Sequence, residues 1–190
     1  MGNAFEVGER KLIPATLIYA MRKMNELPQE PNIPKISEVF DSGQQVLMLN
    51  REARPGHVHD FHRGKWNGLG GKLERDESAV TAARREFLEE AGLDLEEARF
   101  QPLGTLLFPL FKPHRSEDWL VFVFVVDLKD HEIPQQQCSE GSLSFIEDHR
   151  ILGLPLWPGD LHFLPFVFKR KPFWGTFWYL NGELSRYELR

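Results

Sequence analysis

Three glutamates, Glu86, Glu89 and Glu90, lie close together in a stretch of good helix formers that contains no glycine or proline. At helical spacing they share one flank, where three carboxylates repel one another and destabilise the helix. A divalent cation bound between them would make the cluster favourable, and oxygen ligands suit Mg²⁺ or Mn²⁺ better than zinc. The alternative interpretation is a solvated acidic helix face, which is the commoner reason for a run of charges.

The glutamates belong to a longer pattern of fixed spacing. Gly71 is followed after five residues by Glu77, and seven further residues lead to the run R-E-F-L-E-E-A-G-L, which starts at Arg85. This pattern resembles the Nudix box, G-x5-E-x7-R-E-U-x-E-E-x-G-U with U a bulky apolar residue, at every fixed position. The resemblance implies a Nudix hydrolase with an α/β fold. The expected architecture is the family's α/β/α sandwich, in which a mixed sheet carries the catalytic loop-helix-loop.

A second resemblance extends beyond the box and covers most of residues 12–190. The run W-N-G-L-G-G-K starts at Trp66, and a later stretch runs from Glu140 through W-P-G-D to F-W-G. Both are similar to the Nudix sub-group that removes oxidised purine nucleoside triphosphates such as 8-oxo-dGTP from the nucleotide pool. The resemblance implies Mg²⁺-dependent hydrolysis, with Mn²⁺ as an alternative, to a nucleoside monophosphate and pyrophosphate.

The resemblance also implies a role for each matching position. The metal ligands would be Glu86, Glu89, Glu90, Glu140 and the carbonyl of Gly70 or Gly71. Arg85 would complete the catalytic set by pairing with a box glutamate and fixing its rotamer. Glu89 or Glu140 would orient or deprotonate the attacking water, and that choice stays open. The substrate would be bound by Asn67 and Asp160 at the base edge, Trp157 on the base face, and Arg51 and Lys72.

One position departs from the sub-group, where two adjacent aspartates follow Trp-Pro. Here the first of them is Gly159, and a single aspartate cannot read a purine edge in the same way. The departure bears on the choice of base and not on triphosphate hydrolysis. Simpler interpretations also stand: Trp157 as a core residue, Asp160 as the N-cap of a second helix, and Asn67 as a turn residue.

The box residues require a helix over 77–91 to position them. Asp76 is the predicted N-cap, and Gly92 stands where a left-handed C-cap favours glycine. Val80, Ala83, Phe87 and Ala91 recur at i, i+3 or i+4, so we expect that flank to face the core.

Other apolar runs predict the remaining elements of one domain over residues 1–190. Strands are expected at 12–21, 45–51, 104–111, 119–127 and 139–147, a helix at 160–171, and a C-terminal hairpin turning at 181–182. The polar, proline-containing segment 22–43 is interpreted as a loop insertion. The loop at 54–63 carries three histidines, which we interpret as exposed residues because they lack the flanking ligands of a closed zinc site.

The composition of the chain limits the classes of ligand and the cellular locations that we expect. The 190 residues carry a net charge of −5, which argues against duplex nucleic acid and leaves a small nucleotide as the expected ligand. The one cysteine, Cys138, permits no intrachain disulfide and suits a cytoplasmic location. No apolar stretch reaches the length of a membrane span, and the N-terminus has no signal-peptide pattern. The oligomeric state is not determined by the sequence.

Three further functions remain open at this stage. The first is another Nudix activity, on ADP-ribose, a dinucleotide or dihydroneopterin triphosphate, because the box is common to all of these. The second is a non-catalytic nucleotide-binding domain of the same fold. The third is an interaction protein that uses the insertion at 22–43 as a docking loop.

Overall fold

The computed structural model describes residues 10–23, 43–52 and 63–190. The described strands are β1 (Lys11–Lys23), β2 (Gln44–Arg51), β3 (Trp66–Asn67), β4 (Gln101–Lys112), β5 (Glu117–Asp127), β6 (Gln137–Cys138), β7 (Gly141–Glu147), β8 (Phe173–Leu180) and β9 (Glu183–Leu189). The helices are α1 (Ala79–Ala91), α2 (Asp148–Ile151) and α3 (Asp160–Phe168), with short 3-10 turns at Glu97–Arg99 and Pro113–Arg115.

The nine described strands form one mixed sheet. Its order is β6-β7-β2-β1-β5-β4-β8-β9, and β3 pairs with β2 beside that path. The pairs β1–β5 and β4–β8 are parallel, and the other pairs are antiparallel. Parallel pairs need crossover connections, and the segments that join them here carry helices or further strands.

Helices cover both faces of the sheet. Alternate residues of β1 point to opposite sides, as the strand period of two requires. Leu17 and Tyr19 belong to the apolar cluster that includes α2 and α3, whereas Ile18 and Ala20 belong to the cluster that includes α1. The expected α/β fold with a mixed sheet between helical layers is therefore confirmed.

The helix α1 packs through the flank that its sequence indicates. Ala83, Phe87 and Ala91 are fully buried, and the ring of Phe87 lies edge-on to that of Phe100, with 5.7 Å between centroids. Gly92 ends the helix with φ 71°, as predicted.

The start of α1 differs from the prediction. The N-cap is Ser78, whose Oγ accepts a hydrogen bond from the Thr81 backbone at 3.1 Å. Asp76 instead lies in the preceding turn with φ 66°. Glu77 is drawn into that turn, where its carboxylate accepts from the Glu74 backbone N–H, so the helix begins two residues after it.

The predicted strands at 12–21, 45–51, 104–111 and 119–127 are all present, and the C-terminal hairpin turns at Asn181–Gly182, both with positive φ. The strand predicted at 139–147 starts only at Gly141, because Ser139 and Glu140 form the turn between β6 and β7. The helix predicted at 160–171 is α3, which ends at Phe168 and not at Lys171.

Several predictions lie outside the described residues: the N-terminal segment, the insertion apart from its ends, and the loop histidines His57, His59 and His62. No helix in the described parts of the chain is long and apolar enough to cross a membrane.

Candidate active site

The glycine-rich loop that precedes α1 lies against β1. The backbone N–H of Ile18 donates to the Leu69 carbonyl at 2.7 Å, and that of Thr16 donates to the Gly71 carbonyl at 2.8 Å. Gly70 has φ 128°, and a β-carbon there would lie 2.9 Å from the carbonyl carbon of Thr16. The approach is therefore close enough to require glycine, and it brings the loop between β1 and the acidic flank of α1.

Two of the box glutamates pack against this loop. Glu90 is 4% exposed, and its Oε2 accepts a hydrogen bond from the Gly70 backbone at 2.7 Å. Burial raises the pKa of Glu90 to about 7, opposed by that hydrogen bond and reinforced by the charges of Glu86 and Glu89. Burial likewise raises the pKa of Glu86, against the effect of Arg85. The charges of Glu86 and Glu89 therefore lie close enough to Glu90 to disfavour its ionised form.

Arg85 organises the acidic flank. Its Nε and Nη2 donate to the two carboxylate oxygens of Glu77 at 2.8 and 3.0 Å. Its Nη1 donates to Oε1 of Glu86 at 2.9 Å and approaches Oε1 of Glu89 at 3.4 Å. A bidentate guanidinium–carboxylate pair has a defined geometry, so Arg85 is anchored by Glu77 and in turn orients Glu86. This is the pairing that the resemblance implies.

The donor set has the chemistry of a divalent-cation site. Three carboxylates converge on one flank, and the carbonyl of Gly70 accepts no hydrogen bond from the described residues. Among the residues with described positions, however, no group of three or more His, Cys, Asp or Glu side chains is arranged to hold a metal ion. One oxygen of each of the three carboxylates is already hydrogen-bonded, to Arg85 for Glu86 and Glu89 and to the Gly70 N–H for Glu90.

A cleft of about 850 Å³ runs beside this cluster. The predicted site residues that line it are Arg51, Asn67, Gly70, Gly71, Lys72, Arg85, Glu86, Glu140, Trp157 and Asp160. Glu89 and Glu90 do not line it: the Glu89 side chain is 59% exposed, and Glu90 is buried against Gly70. The structure thus brings ten of the predicted residues to one surface and places two just outside it.

Aromatic side chains wall part of the cleft. Trp157 is half-buried, and its ring lies edge-on to Phe111 at 6.1 Å and to Tyr179 at 5.9 Å between centroids. Lys65 Nζ lies 4.8 Å from the Trp157 ring centroid. Because Trp157 lines the cleft, it is not the fully buried core residue of the simpler interpretation. Phe108 also lines the cleft, and its ring stacks on that of Phe177.

Asp160 is the buried acid of the cleft, with 7% exposure. Burial raises the pKa of Asp160 to about 7, opposed by a hydrogen bond from the Trp157 backbone and by the charge of Lys65. It is the first residue of α3, and Gly159 occupies the cap position without a side-chain hydrogen bond. The interpretation of Asp160 as an N-cap is therefore wrong. The interpretation of Asn67 as a turn residue is also wrong, because Asn67 lies in β3 and pairs with Leu49 of β2. Its side chain accepts a hydrogen bond from the Gly68 backbone at 3.0 Å, and the residue lines the cleft.

Cationic side chains also line the cleft. Arg51 forms an ion pair with Glu140, which lies in the turn between β6 and β7 and not in a strand. Lys72 and Lys112 place their ammonium groups 5.1 and 4.7 Å from the Trp119 ring centroid. These positive charges at the cleft suit a ligand that carries phosphate groups.

Several cleft residues were not predicted from the sequence: Phe111, Lys112, His114, Arg115, Trp119 and Tyr179. One signal was available for Tyr179. In the strand run F-W-G-T-F-W-Y-L, alternation places Phe173, Gly175, Phe177 and Tyr179 on one side, and the first three are buried. The turn residues His114 and Arg115 carry no comparable pattern.

Comparison with known proteins decides the family. The model of the NUDIX domain matches residues 36–167. This chain belongs to the Nudix family. The prediction of a Nudix-type hydrolase is thereby confirmed.

Relatives of similar length support this assignment. The chain is 33% identical over 153 residues to Uncharacterized Nudix hydrolase YvcI of Bacillus subtilis (strain 168), which covers 80% of this chain and 90% of that protein. It is 29% identical over 139 residues to the Oxidized purine nucleoside triphosphate hydrolase of Danio rerio, covering 70% and 85%. The crystal structure of the mutator MutT protein from Bacillus halodurans matches with a TM-score of 0.69 at 24% identity, covering 93% and 97%, and supports the fold.

Proposed function

We propose that this Nudix hydrolase cleaves a nucleoside triphosphate, of the oxidised purine class, to a nucleoside monophosphate and pyrophosphate. The observation that carries the proposal is that a single cleft is lined both by residues of the box and by an aromatic and an acidic side chain. Glu86, Gly71 and Arg85 belong to the first set, and Trp157 and Asp160 to the second. A triphosphate needs both, because its base and its scissile phosphate must be held at once.

Nudix hydrolases generally use divalent metal ions, and we propose Mg²⁺ for this one. Its ligands would be Glu86, Glu89, Glu90, Glu140 and the carbonyl of Gly70 or Gly71. When bound, the ion would neutralise phosphate charge and lower the pKa of a bound water.

The chain's own residues then supply positioning and charge. Arg85 holds Glu86 in place through the Glu77 pair. Arg51 and Lys72 line the cleft, where their charges would attract the phosphates. Glu140 lines the cleft and Glu89 does not, so Glu140 has the better access to a water beside the substrate. Glu89 would have to turn from its exposed position to serve as the base.

The relatives support the choice of base class. The Danio rerio relative is named for hydrolysis of oxidised purine nucleoside triphosphates, and a Mus musculus protein of the same name is 30% identical over 131 residues. The matches cover 85% of the Danio rerio protein and 80% of the Mus musculus protein. A cytoplasmic role in cleaning the nucleotide pool follows from this proposal and stays a prediction.

A substrate panel tests the proposal. Purified protein with Mg²⁺ would be assayed for pyrophosphate release from 8-oxo-dGTP, 2-oxo-dATP, dGTP and dihydroneopterin triphosphate. The same protein would be assayed for cleavage of the pyrophosphate bond of ADP-ribose. We expect the highest kcat/KM for an oxidised purine triphosphate. A higher kcat/KM for ADP-ribose or dihydroneopterin triphosphate would refute the base assignment, and turnover of none would refute the catalytic proposal.

Glu140→Gln and Glu89→Gln extend the test to the general base. Both substitutions keep the size of the side chain and remove its charge. We expect Glu140→Gln to lower kcat more, with loss of the acidic limb of its pH profile. A larger loss in Glu89→Gln would assign the base to that residue instead.

A further inference from the structure

At position 159, where the sub-group has an aspartate, this chain has glycine, and side chains of the strand β8 lie against it. A β-carbon on Gly159 would lie 2.6 Å from the hydroxyl oxygen of Tyr179 and 3.0 Å from Cδ1 of Phe177. Gly159 has φ −65°, a conformation open to any residue, so the backbone does not demand glycine there. The position is glycine because the Tyr179 hydroxyl occupies the space that a side chain would need.

The Tyr179 hydroxyl has a defined direction of hydrogen bonding. It accepts a hydrogen bond from the Gly159 backbone N–H at 2.8 Å. Among the described residues it donates to no acceptor, so its own hydrogen remains available to a ligand. A phenol in place of a carboxylate therefore changes an acceptor into a donor at this point of the cleft.

The surroundings fit a role in reading a flat polar ligand. Tyr179 lines the cleft together with Asp160, and Asp160 contributes to the raised pKa of Tyr179 after burial, the main cause. The Tyr179 ring is held edge-on by Phe111 at 6.0 Å and by Trp157 at 5.9 Å. A ring held in this way keeps its hydroxyl at one position, which is what discrimination between ligands requires.

We propose that Tyr179 is a specificity-determining residue that donates a hydrogen bond to a carbonyl oxygen of the base while Asp160 accepts from the neighbouring N–H groups. This inference rests on the proposed function and deepens it. A 6-oxopurine with a 2-amino group matches the pair, since its edge carries one carbonyl oxygen followed by two N–H positions. A 6-aminopurine offers N–H at one position of that edge, next to a ring nitrogen. The favoured class is therefore a guanine-type base.

Binding of product-like nucleotides tests the inference without catalysis. Isothermal titration at pH 8 would compare dGMP and dAMP on wild-type protein and on Tyr179→Phe. We expect wild-type protein to bind dGMP more tightly than dAMP. Because Tyr179→Phe removes one neutral hydrogen bond, it should weaken the binding of dGMP by about tenfold and that of dAMP by much less. An unchanged dGMP affinity, an equal loss for both nucleotides, or no measurable binding by wild type would overturn the inference.

Tyr187→Phe is the matched control. Tyr187 lies on the adjacent strand β9, stacks on His162 and Phe177, and does not line the cleft. Removing its hydroxyl should leave both affinities unchanged. A dGMP loss in Tyr187→Phe as large as that in Tyr179→Phe would count against the inference, because it would show an effect of strand packing.

The Gly159 contact supplies a second test. Gly159→Ala should displace the Tyr179 hydroxyl and weaken dGMP, whereas the same change in a Tyr179→Phe background should have a smaller effect. Equal effects in the two backgrounds would overturn the proposed coupling. If the protein releases no pyrophosphate but keeps its Tyr179-dependent preference for dGMP, only the proposed function is refuted. If it releases pyrophosphate but its preference for dGMP does not depend on Tyr179, only the role of Tyr179 is refuted.

Discussion

The carboxylate of Glu86 packs directly against Gly71, where a β-carbon would lie 2.6 Å from Glu86 Cδ. Gly71 does not have a left-handed φ, so it is the carboxylate and not the backbone that excludes a side chain. The first glycine of the box and its first helical glutamate are therefore one unit of structure.

Gly71→Ala should move Glu86 without unfolding the protein, since only the end of a side chain has to give way. A displacement of about 1 Å in a catalytic group costs roughly 100-fold in rate, and we expect a loss of that order in kcat/KM with little change in Tm. Gly153→Ala is the control, because a β-carbon there would meet only Arg150 O at 3.5 Å. Full activity in Gly71→Ala would show that the position of Glu86 is not critical.

Arg85→Lys tests the pair that orients Glu86. Lysine keeps the charge but cannot make the two parallel bonds to Glu77 and a third to Glu86. Loss of an orienting partner typically costs about 10–100-fold in activity, and we expect a fall in kcat within that range. Arg84→Lys is the matched control: Arg84 pairs with Asp94 on the exposed side of α1, where such pairs contribute little. Equal losses in the two variants would indicate a general effect on the helix.

The sequence was most informative where the pattern is local. Phe87, Ala83 and Ala91 could be assigned to the core because the helical period repeats within one segment, and Gly92 because a single residue decides the cap. The N-cap was predicted at Asp76 and lies at Ser78. The helix starts later because the Glu77 carboxylate accepts a hydrogen bond from the Glu74 backbone N–H and closes a turn there.

Local sequence patterns do not predict contacts between segments that lie far apart in the chain. The Nudix resemblance brought Asn67 and Asp160 to the same site, and they do line one cleft. It did not reveal that Tyr179, 20 residues after Gly159, fills the space of the absent side chain. That relationship depends on how β8 lies beside the start of α3, which no local pattern specifies.

Metal binding should be visible as stabilisation. Binding of Mg²⁺ to the folded state at 100 times its Kd should raise Tm by roughly 5–10 °C for a chain of this size. Glu90→Gln should retain the hydrogen bond from the Gly70 N–H, and with it the fold, but lose the Mg²⁺-dependent rise in Tm and several orders of magnitude in kcat. Glu96→Gln, at an exposed position outside the box, should behave as wild type. A Tm that does not respond to Mg²⁺ in wild type, or activity that survives EDTA, would contradict the metal-carboxylate mechanism.

Asp160 should make stability depend on pH in the direction opposite to that of an ion-paired carboxylate. Its pKa is raised to about 7 in the folded state from an ordinary 3.8, so the folded protein binds more protons than the unfolded chain between these values. Its contribution to stability is therefore complete below about pH 4 and is lost as the pH rises through 7. Asp160→Asn removes this titration while the amide oxygen can still accept from the Trp157 backbone.

We expect the Tm of Asp160→Asn, relative to wild type, to be higher at pH 8 than at pH 5, because only the wild type must bury a charge at pH 8. Thermal unfolding of both proteins at the two pH values measures this difference. Asp130→Asn, at an exposed position, controls for the general change in net charge and should show no such trend. The contrary result would be a difference in Tm between Asp160→Asn and wild type that is the same at pH 5 and at pH 8. It would mean that Asp160 has an ordinary pKa and is better hydrated than its 7% exposure indicates.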